Sequence, residues 1–259
     1  MISKREHEAG SDGAPSFHSK DEARQWVWDR LAAEKLARFP FPPHGRIPNF
    51  VGAREAAERL LEEPPWRDAR AIKVNPDSPQ AQVRELALAR GIRVYVPTPR
   101  LAGGFKLLDP ASIPAERHRE AAALTTMDEW ATPVALTELP QLDAIVCGSA
   151  AVTPGGRRAG KGAGYSDLEF AILRELGHRP VPVATTVHDV QVVAQFPIEP
   201  NDIPLALICT PTRSIRVADP PPAPDGVDWS RLGEADLEAM PVLKELREIA
   251  RRPRRRPNK

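Results

Sequence analysis

One stretch of the chain concentrates groups suited to negative charge: Arg157-Arg158-Ala159-Gly160-Lys161-Gly162-Ala163-Gly164-Tyr165-Ser166-Asp167. Glycine at alternate positions lets backbone amides approach an anion without hindrance from Cβ atoms. A helix is expected directly behind the loop, and its dipole adds to the charge of Arg157, Arg158 and Lys161. Phosphate fits this pattern. The run is neither a Walker A motif nor a GxGxxG fingerprint, and a glycine-rich surface turn is the plain alternative. Asp167 falls in the first helical turn, where a carboxylate favours the free amides. Ser166 and Glu169 have the spacing of a capping box.

Three other groups could join it. Lys20 and Arg24 lie one helical turn apart and share a face, which is also the spacing of an ordinary solvated face. His188-Asp189-Val190-Gln191 ends an apolar run, where it could serve chemistry or close a turn. Asn75-Pro76-Asp77-Ser78 ends another, with Asp77 or Ser78 as the structural N-cap. Asn75, Asp77, His188 and Gln191 are the candidate substrate contacts. The cysteines, Cys147 and Cys209, each sit in an apolar run with no CxxC partner, which predicts buried free thiols rather than zinc ligands or a disulfide.

Positioning these groups requires a sheet. Short apolar runs at 71–74, 92–96, 143–147, 181–187 and 205–209 alternate with helical segments near 79–90, 114–124 and 167–176. Continuous apolar strands separated by amphipathic helices predict a mostly parallel, Rossmann-like α/β sheet covered on both faces. In such a sheet ligands bind beyond the carboxyl ends of the strands, where the glycine loop, Asn75 and His188 fall. Residues 1–18 are polar and expected to be disordered. The α/β domain is expected over 19–218, opening on a helix capped by Ser19 and Glu22. A proline-rich joint and C-terminal helix, kinked near Pro241, follow over 219–250, and 251–259 form a basic tail.

Of the 259 residues 41% are hydrophobic and 27% charged, with a net charge of +1. That balance points to no polyanionic partner for the whole chain. The last nine residues hold five arginines, one lysine and no acid, so nucleic acid could be touched only through this tail. No apolar stretch approaches the roughly 20 residues of a membrane span. The amino terminus lacks the apolar core of a signal peptide, and a cytoplasmic protein is expected.

Read in order, several phrases carry a resemblance: Arg46-Ile47-Pro48-Asn49-Phe50, Lys73-Val74-Asn75-Pro76-Asp77, Val96-Pro97-Thr98-Pro99-Arg100-Leu101, Gly160-Lys161-Gly162, His188-Asp189-Val190-Gln191-Val192-Val193 and Thr210-Pro211-Thr212-Arg213. The chain resembles the 5-formyltetrahydrofolate cyclo-ligase family over about residues 20–247. It is most similar to the branch named for its methenyltetrahydrofolate synthase domain. The resemblance implies ATP- and Mg2+-dependent conversion of 5-formyltetrahydrofolate to 5,10-methenyltetrahydrofolate. It implies catalytic roles for Lys20, Arg24 and Tyr165, and a phosphate cradle of Arg158, Gly160, Lys161, Gly162 and Gly164. It also implies magnesium at Asp167, with ATP and a reduced folate as the small-molecule partners. The sequence departs from the family pattern at Ser166, at Leu168, and in lacking a glutamate after the first strand. The alternative is a catalytically weak module that binds nucleotide, folate or RNA.

Overall fold

The alternation of apolar runs and amphipathic segments folds as an α/β protein in the computed structural model, which describes residues 13–251. The first half comprises α1 (Lys20–Ala33), β1 (Ala37–Arg38), β2 (Asn49–Phe50), α2 (Ala53–Leu61), β3 (Ala71–Val74), α3 (Ala81–Ala89), β4 (Arg93–Pro97), β5 (Phe105–Leu108) and α4 (His118–Ala122). The second comprises β6 (Thr132–Val134), β7 (Ala144–Cys147), β8 (Ala151–Val152), β9 (Arg158–Ala159), α5 (Tyr165–Glu175), β10 (Val183–Thr186), β11 (Leu207–Cys209), β12 (Ser214–Arg216), α6 (Glu234–Ala239) and α7 (Pro241–Arg251).

Eight strands form one sheet in the order β12-β11-β10-β7-β3-β4-β5-β6. The five from β11 to β4 run parallel and correspond to the five strands expected from the apolar runs. Strands β12, β5 and β6 extend the edges antiparallel and were not expected. β6 and β12 are three residues long and no residue of either is buried, so they lack the continuous apolar signal of the centre. From β3 the chain moves outward through α3 to β4, then returns to lay β7 on the other side of β3. Strand order therefore reverses between β3 and β7, the kind of point where open sheets bind ligands.

Strand β3 is buried along its length. Its Ile72 and Val74 pack in one core with Leu60 of α2 and Val83 of α3. Ala71 joins the opposite core, built on Phe170 and Ile172 of α5. The two-residue period of a strand puts Lys73 on the side of Ala71, beneath α5. Helices thus cover both faces. On the α5 side, Leu237, Leu243 and Leu246 bury α6 and α7 in the same core. The two helices are separated at Met240, whose φ of −126° and ψ of 77° are non-helical; this is the expected break before Pro241. Both cysteines are free and buried, and burial pushes the Cys209 thiol up to about 12.

The amino-terminal segment differs from expectation. Residues 1–12 lie outside the described residues, but those that follow are docked rather than disordered. The Phe17 amide donates to the Gln195 carbonyl, and the Ala194 amide to that of Pro15, both at 2.9 Å. Phe17 is buried with Val27 and Phe196. The Ser19 hydroxyl accepts from the Glu22 amide as the N-cap of α1, while Glu22 accepts from His18, one residue early for a reciprocal box. Of the basic tail, only Arg251, the last residue of α7, lies within the described residues. Among the described residues, no helix is long and apolar enough to cross a membrane.

Candidate functional site

The two-stranded ribbon β8–β9 ends at Ala159 and releases the chain into the glycine loop, which runs into α5. The three glycines answer three local demands. Gly162 and Gly164 have φ of +98° and +70°, where a side chain is strained. Gly160 has no such dihedral, but a Cβ there would stand 2.8 Å from the Arg158 guanidinium. Gly164 is the residue before α5 and offers no capping side chain, so the first amides of an 11-residue helix are left for a ligand. The Ser166–Glu169 capping box does not form. Ser166 instead accepts a hydrogen bond from Asn75, and Glu169 turns down to Lys73.

Around this loop the described residues enclose a cavity of about 1190 Å3 at the β3–β7 switch point. Lys20 and Arg24 of α1 reach into it. Lys20 pairs with Asp202 at 2.5 Å and Glu199 at 3.4 Å. Arg24 donates through Nε to the Gly160 carbonyl at 2.6 Å and pairs with Asp21, so α1 is fastened to the glycine loop. Arg158 is almost fully buried, with Nε on the Gly148 carbonyl at 3.0 Å and Nη1 on Asp167 at 3.1 Å. Lys161 is more open and stands 3.7 Å from Asp77. Tyr165 lines the wall. Asn75 lies on the floor, donating to Ser166 at 2.9 Å and accepting from Lys73 at 2.8 Å.

The switch point is tightly built. A Cβ on Gly148, just past β7, would lie 2.9 Å from Ile47 and 3.0 Å from both Asp77 and Gln80. Glycine at 148 therefore lets the segment carrying Asp77 close against the end of β7.

Two predicted substrate contacts are not part of this cavity. His188 accepts the Val190 amide through Nδ1 at 3.3 Å and packs edge-on against Phe50. Burial holds its pKa below the usual 6.5. Gln191 is fully buried, accepting from the His188 amide and donating to the carbonyls of Ser149 and Ala150. Their geometry is that of a capped turn over 189–191 supporting the chain after β7. Arg157 likewise points away, donating to the Phe196 carbonyl at 2.7 Å. Lys20, Arg24, Asn75, Asp77, Arg158, Gly160, Lys161, Gly162, Gly164, Tyr165 and Asp167 do line the cavity together.

Sequence reading missed Glu169, Asp202 and Arg231, which line the cavity, and Lys73 beneath it. Lys73 and Glu169 form a buried ion pair on the floor; a lone charge inside the apolar strand 71–74 was the available signal. Asp202 comes beside Asp167 because Asp167 Oδ1 accepts the amide of the next residue, Ile203, at 3.1 Å. Arg231 arrives from the joint before α6. Among the described residues, no group of three or more His, Cys, Asp or Glu forms a metal cage. One or two carboxylates beside a phosphate cradle are what magnesium uses, the rest of its shell being phosphate oxygen and water. Asp167 and Asp202 fit that requirement.

Comparison with known proteins gives the family. The model of the 5-formyltetrahydrofolate cyclo-ligase family matches residues 18–211, which include the glycine loop, α1 and the floor. Methenyltetrahydrofolate synthase domain-containing proteins of Bos taurus and Mus musculus are each 40% identical, over 235 and 236 residues. The alignments cover 88% and 89% of this chain, but 62% and 63% of those proteins. The chain thus spans about three fifths of the length of these curated relatives. A solved structure of 5,10-methenyltetrahydrofolate synthetase from Aquifex aeolicus is 17% identical and overlays with a TM-score of 0.49, covering 79% of this chain and 96% of that one. On the extent of the family match and the identity to these relatives, the chain belongs to the 5-formyltetrahydrofolate cyclo-ligase family.

Proposed function

We propose that this chain converts 5-formyltetrahydrofolate to 5,10-methenyltetrahydrofolate at the expense of ATP, with magnesium. The observation that carries the reading is the cavity itself. It joins a glycine loop at a helix N-terminus, cations that include Lys20, Arg24, Arg158 and Lys161, and a polar floor at one switch point. At about 1190 Å3 it exceeds the roughly 300–1,000 Å3 of an ordinary small-molecule site, as a site for two substrates should.

In this reading Lys20, Arg24, Arg158 and Lys161 hold the triphosphate with the first amides of α5. Asp167 and Asp202 would hold magnesium, which when bound offsets charge on the phosphate oxygens. Asn75 and Asp77 orient the folate so that its formyl oxygen faces the γ-phosphorus. That oxygen attacks, the bond to ADP breaks, and a poor leaving oxygen becomes phosphate. N10 then attacks the formyl carbon, losing its proton, and the carbon–oxygen bond to phosphate breaks. Such chemistry asks the protein for position and charge rather than for a nucleophile.

The test is an assay of purified protein with ATP, magnesium and 5-formyltetrahydrofolate, following the methenyl product and ADP. Lys161→Ala should weaken ATP binding by about tenfold or more, the loss of one charge-assisted contact, at nearly unchanged melting temperature. Tight ATP and folate binding without turnover would instead support a binding module, a reading favoured by Ser166, whose hydroxyl is already engaged by Asn75. Absence of ATP binding by the wild type would sink both.

A further inference from the structure

A second, smaller cavity of about 260 Å3 opens beside the first. The two share Gly164, Tyr165, Asp167, Asp202 and Arg231 along their common edge. One wall is α5, through Leu168 and Ala171. The other is the segment over 224–240, through Val227, Leu232 and Met240. This second wall lies entirely outside the residues matched by the family model.

The wall is built rather than loosely draped. Glu175 of α5 accepts the Val227 amide at 3.2 Å. A Cβ on Gly226 would stand 2.7 Å from the same carboxylate, so glycine permits the close approach. Val227 and Met240 are buried in the core shared with α5. The slot joins the apolar Leu168, Ala171, Val227, Leu232 and Met240 to the polar Asn201, Asp228 and Asp236 beside a phosphate loop, which suits an aromatic ring with polar edges carried by the phosphates. Its volume falls below the range for a whole ligand, so it takes a fragment of one.

We infer that the C-terminal segment supplies the base pocket of the nucleotide. The purine lies between α5 and residues 224–240, and Arg231 reaches from that segment toward the phosphates. This rests on the nucleotide reading above and adds to it where the base goes and which appended segment reads it. Leu168 contributes to the apolar face of the slot.

Calorimetry with magnesium and either ATP or inorganic tripolyphosphate separates the two ideas. Wild-type protein should bind ATP at least about tenfold more tightly than tripolyphosphate, since only ATP fills the slot. Leu232→Trp and Ala171→Leu, which fill it from opposite walls, should each remove about tenfold of ATP affinity and leave tripolyphosphate binding within about twofold. Arg231→Ala should weaken both ligands together. Equal wild-type affinities for the two ligands, or filled variants that melt normally and bind ATP as the wild type does, would overturn the base pocket while leaving the phosphate site standing. If the wild type binds neither ligand, the nucleotide reading itself falls, and the pocket with it.

Discussion

Lys73 and Glu169 meet as an ion pair beneath the cavity, with side chains only 1% and 4% exposed. Lys73 also donates to Asn75, which donates to Ser166. A chain of polar contacts therefore ties the central strand β3 to the first turn of α5, directly under the glycine loop. Burial raises the Glu169 carboxyl pKa, and the neighbouring ammonium opposes that rise. Charges this far from water persist only in company.

Glu169→Gln should accordingly cost about 3–5 kcal/mol, because it strands the Lys73 ammonium without a counter-charge. The double variant Lys73→Met with Glu169→Leu should recover more than half of that loss. Urea unfolding measures both. A single variant as stable as the wild type would show that the pair does not hold the floor.

Asp167 and Asp202 separate metal binding from architecture. Asp167→Asn retains an acceptor for Arg158 and the Ile203 amide but removes the charge facing a buried guanidinium, so a loss of about 1–3 kcal/mol is expected. Asp202→Asn keeps an acceptor for the Glu199 amide and leaves Lys20 with Glu199 as a second partner, so a loss of about 1–3 kcal/mol is expected. Both substitutions should cut the magnesium dependence of ATP affinity by about tenfold or more. If Asp202→Asn binds ATP with unaltered magnesium dependence, its assignment is wrong.

His188 should make the protein sensitive to mild acid. Its Nδ1 accepts an amide, a role open only to the unprotonated nitrogen, and burial depresses its pKa from 6.5. The unfolded chain therefore takes up the proton first as pH falls through about 6.5. Stability should decline from there until the lower folded pKa is passed. His188→Asn should flatten the profile. It should not abolish the slope, because burial also lowers the His178 pKa. Melting temperatures measured between about pH 7.5 and 5 decide; an unchanged slope would contradict the neutral, capped histidine.

Phe17→Ala tests the docked amino-terminal segment. Emptying a site that is 6% exposed should cost about 3–5 kcal/mol and lower the melting temperature by on the order of 10 °C. A disordered lead-in would leave melting unchanged.

The parallel centre of the sheet was legible because strands covered on both faces carry continuous apolar runs. The glycine loop was legible because the residue type itself states the backbone need. Asp202 was not, since the loop Glu199-Pro200-Asn201-Asp202 has no period, and its place is set by a tertiary bond from Asp167 to the neighbouring amide. His188 and Gln191 fall outside the cavity for a related reason. A polar cluster at a strand's end looks the same whether it greets a ligand or caps a turn, and only the direction of the departing chain decides. Lys73 was visible as a lone charge in an apolar strand, but its partner lies 96 residues away.

Four cations of the proposed phosphate site are each paired with a carboxylate: Lys20 with Asp202 and Glu199, Arg24 with Asp21, Arg158 with Asp167, Lys161 with Asp77. Occupancy is therefore an exchange of partners rather than the filling of a positive hole. On the proposed reading, a divalent ion engaging Asp202 and Asp167 would release Lys20 and Arg158 for the nucleotide, and a nucleotide engaging those cations would release the carboxylates for the ion. By linkage each must strengthen the other by the same factor. On the proposed reading, such a site would favour the two ligands together over either one alone.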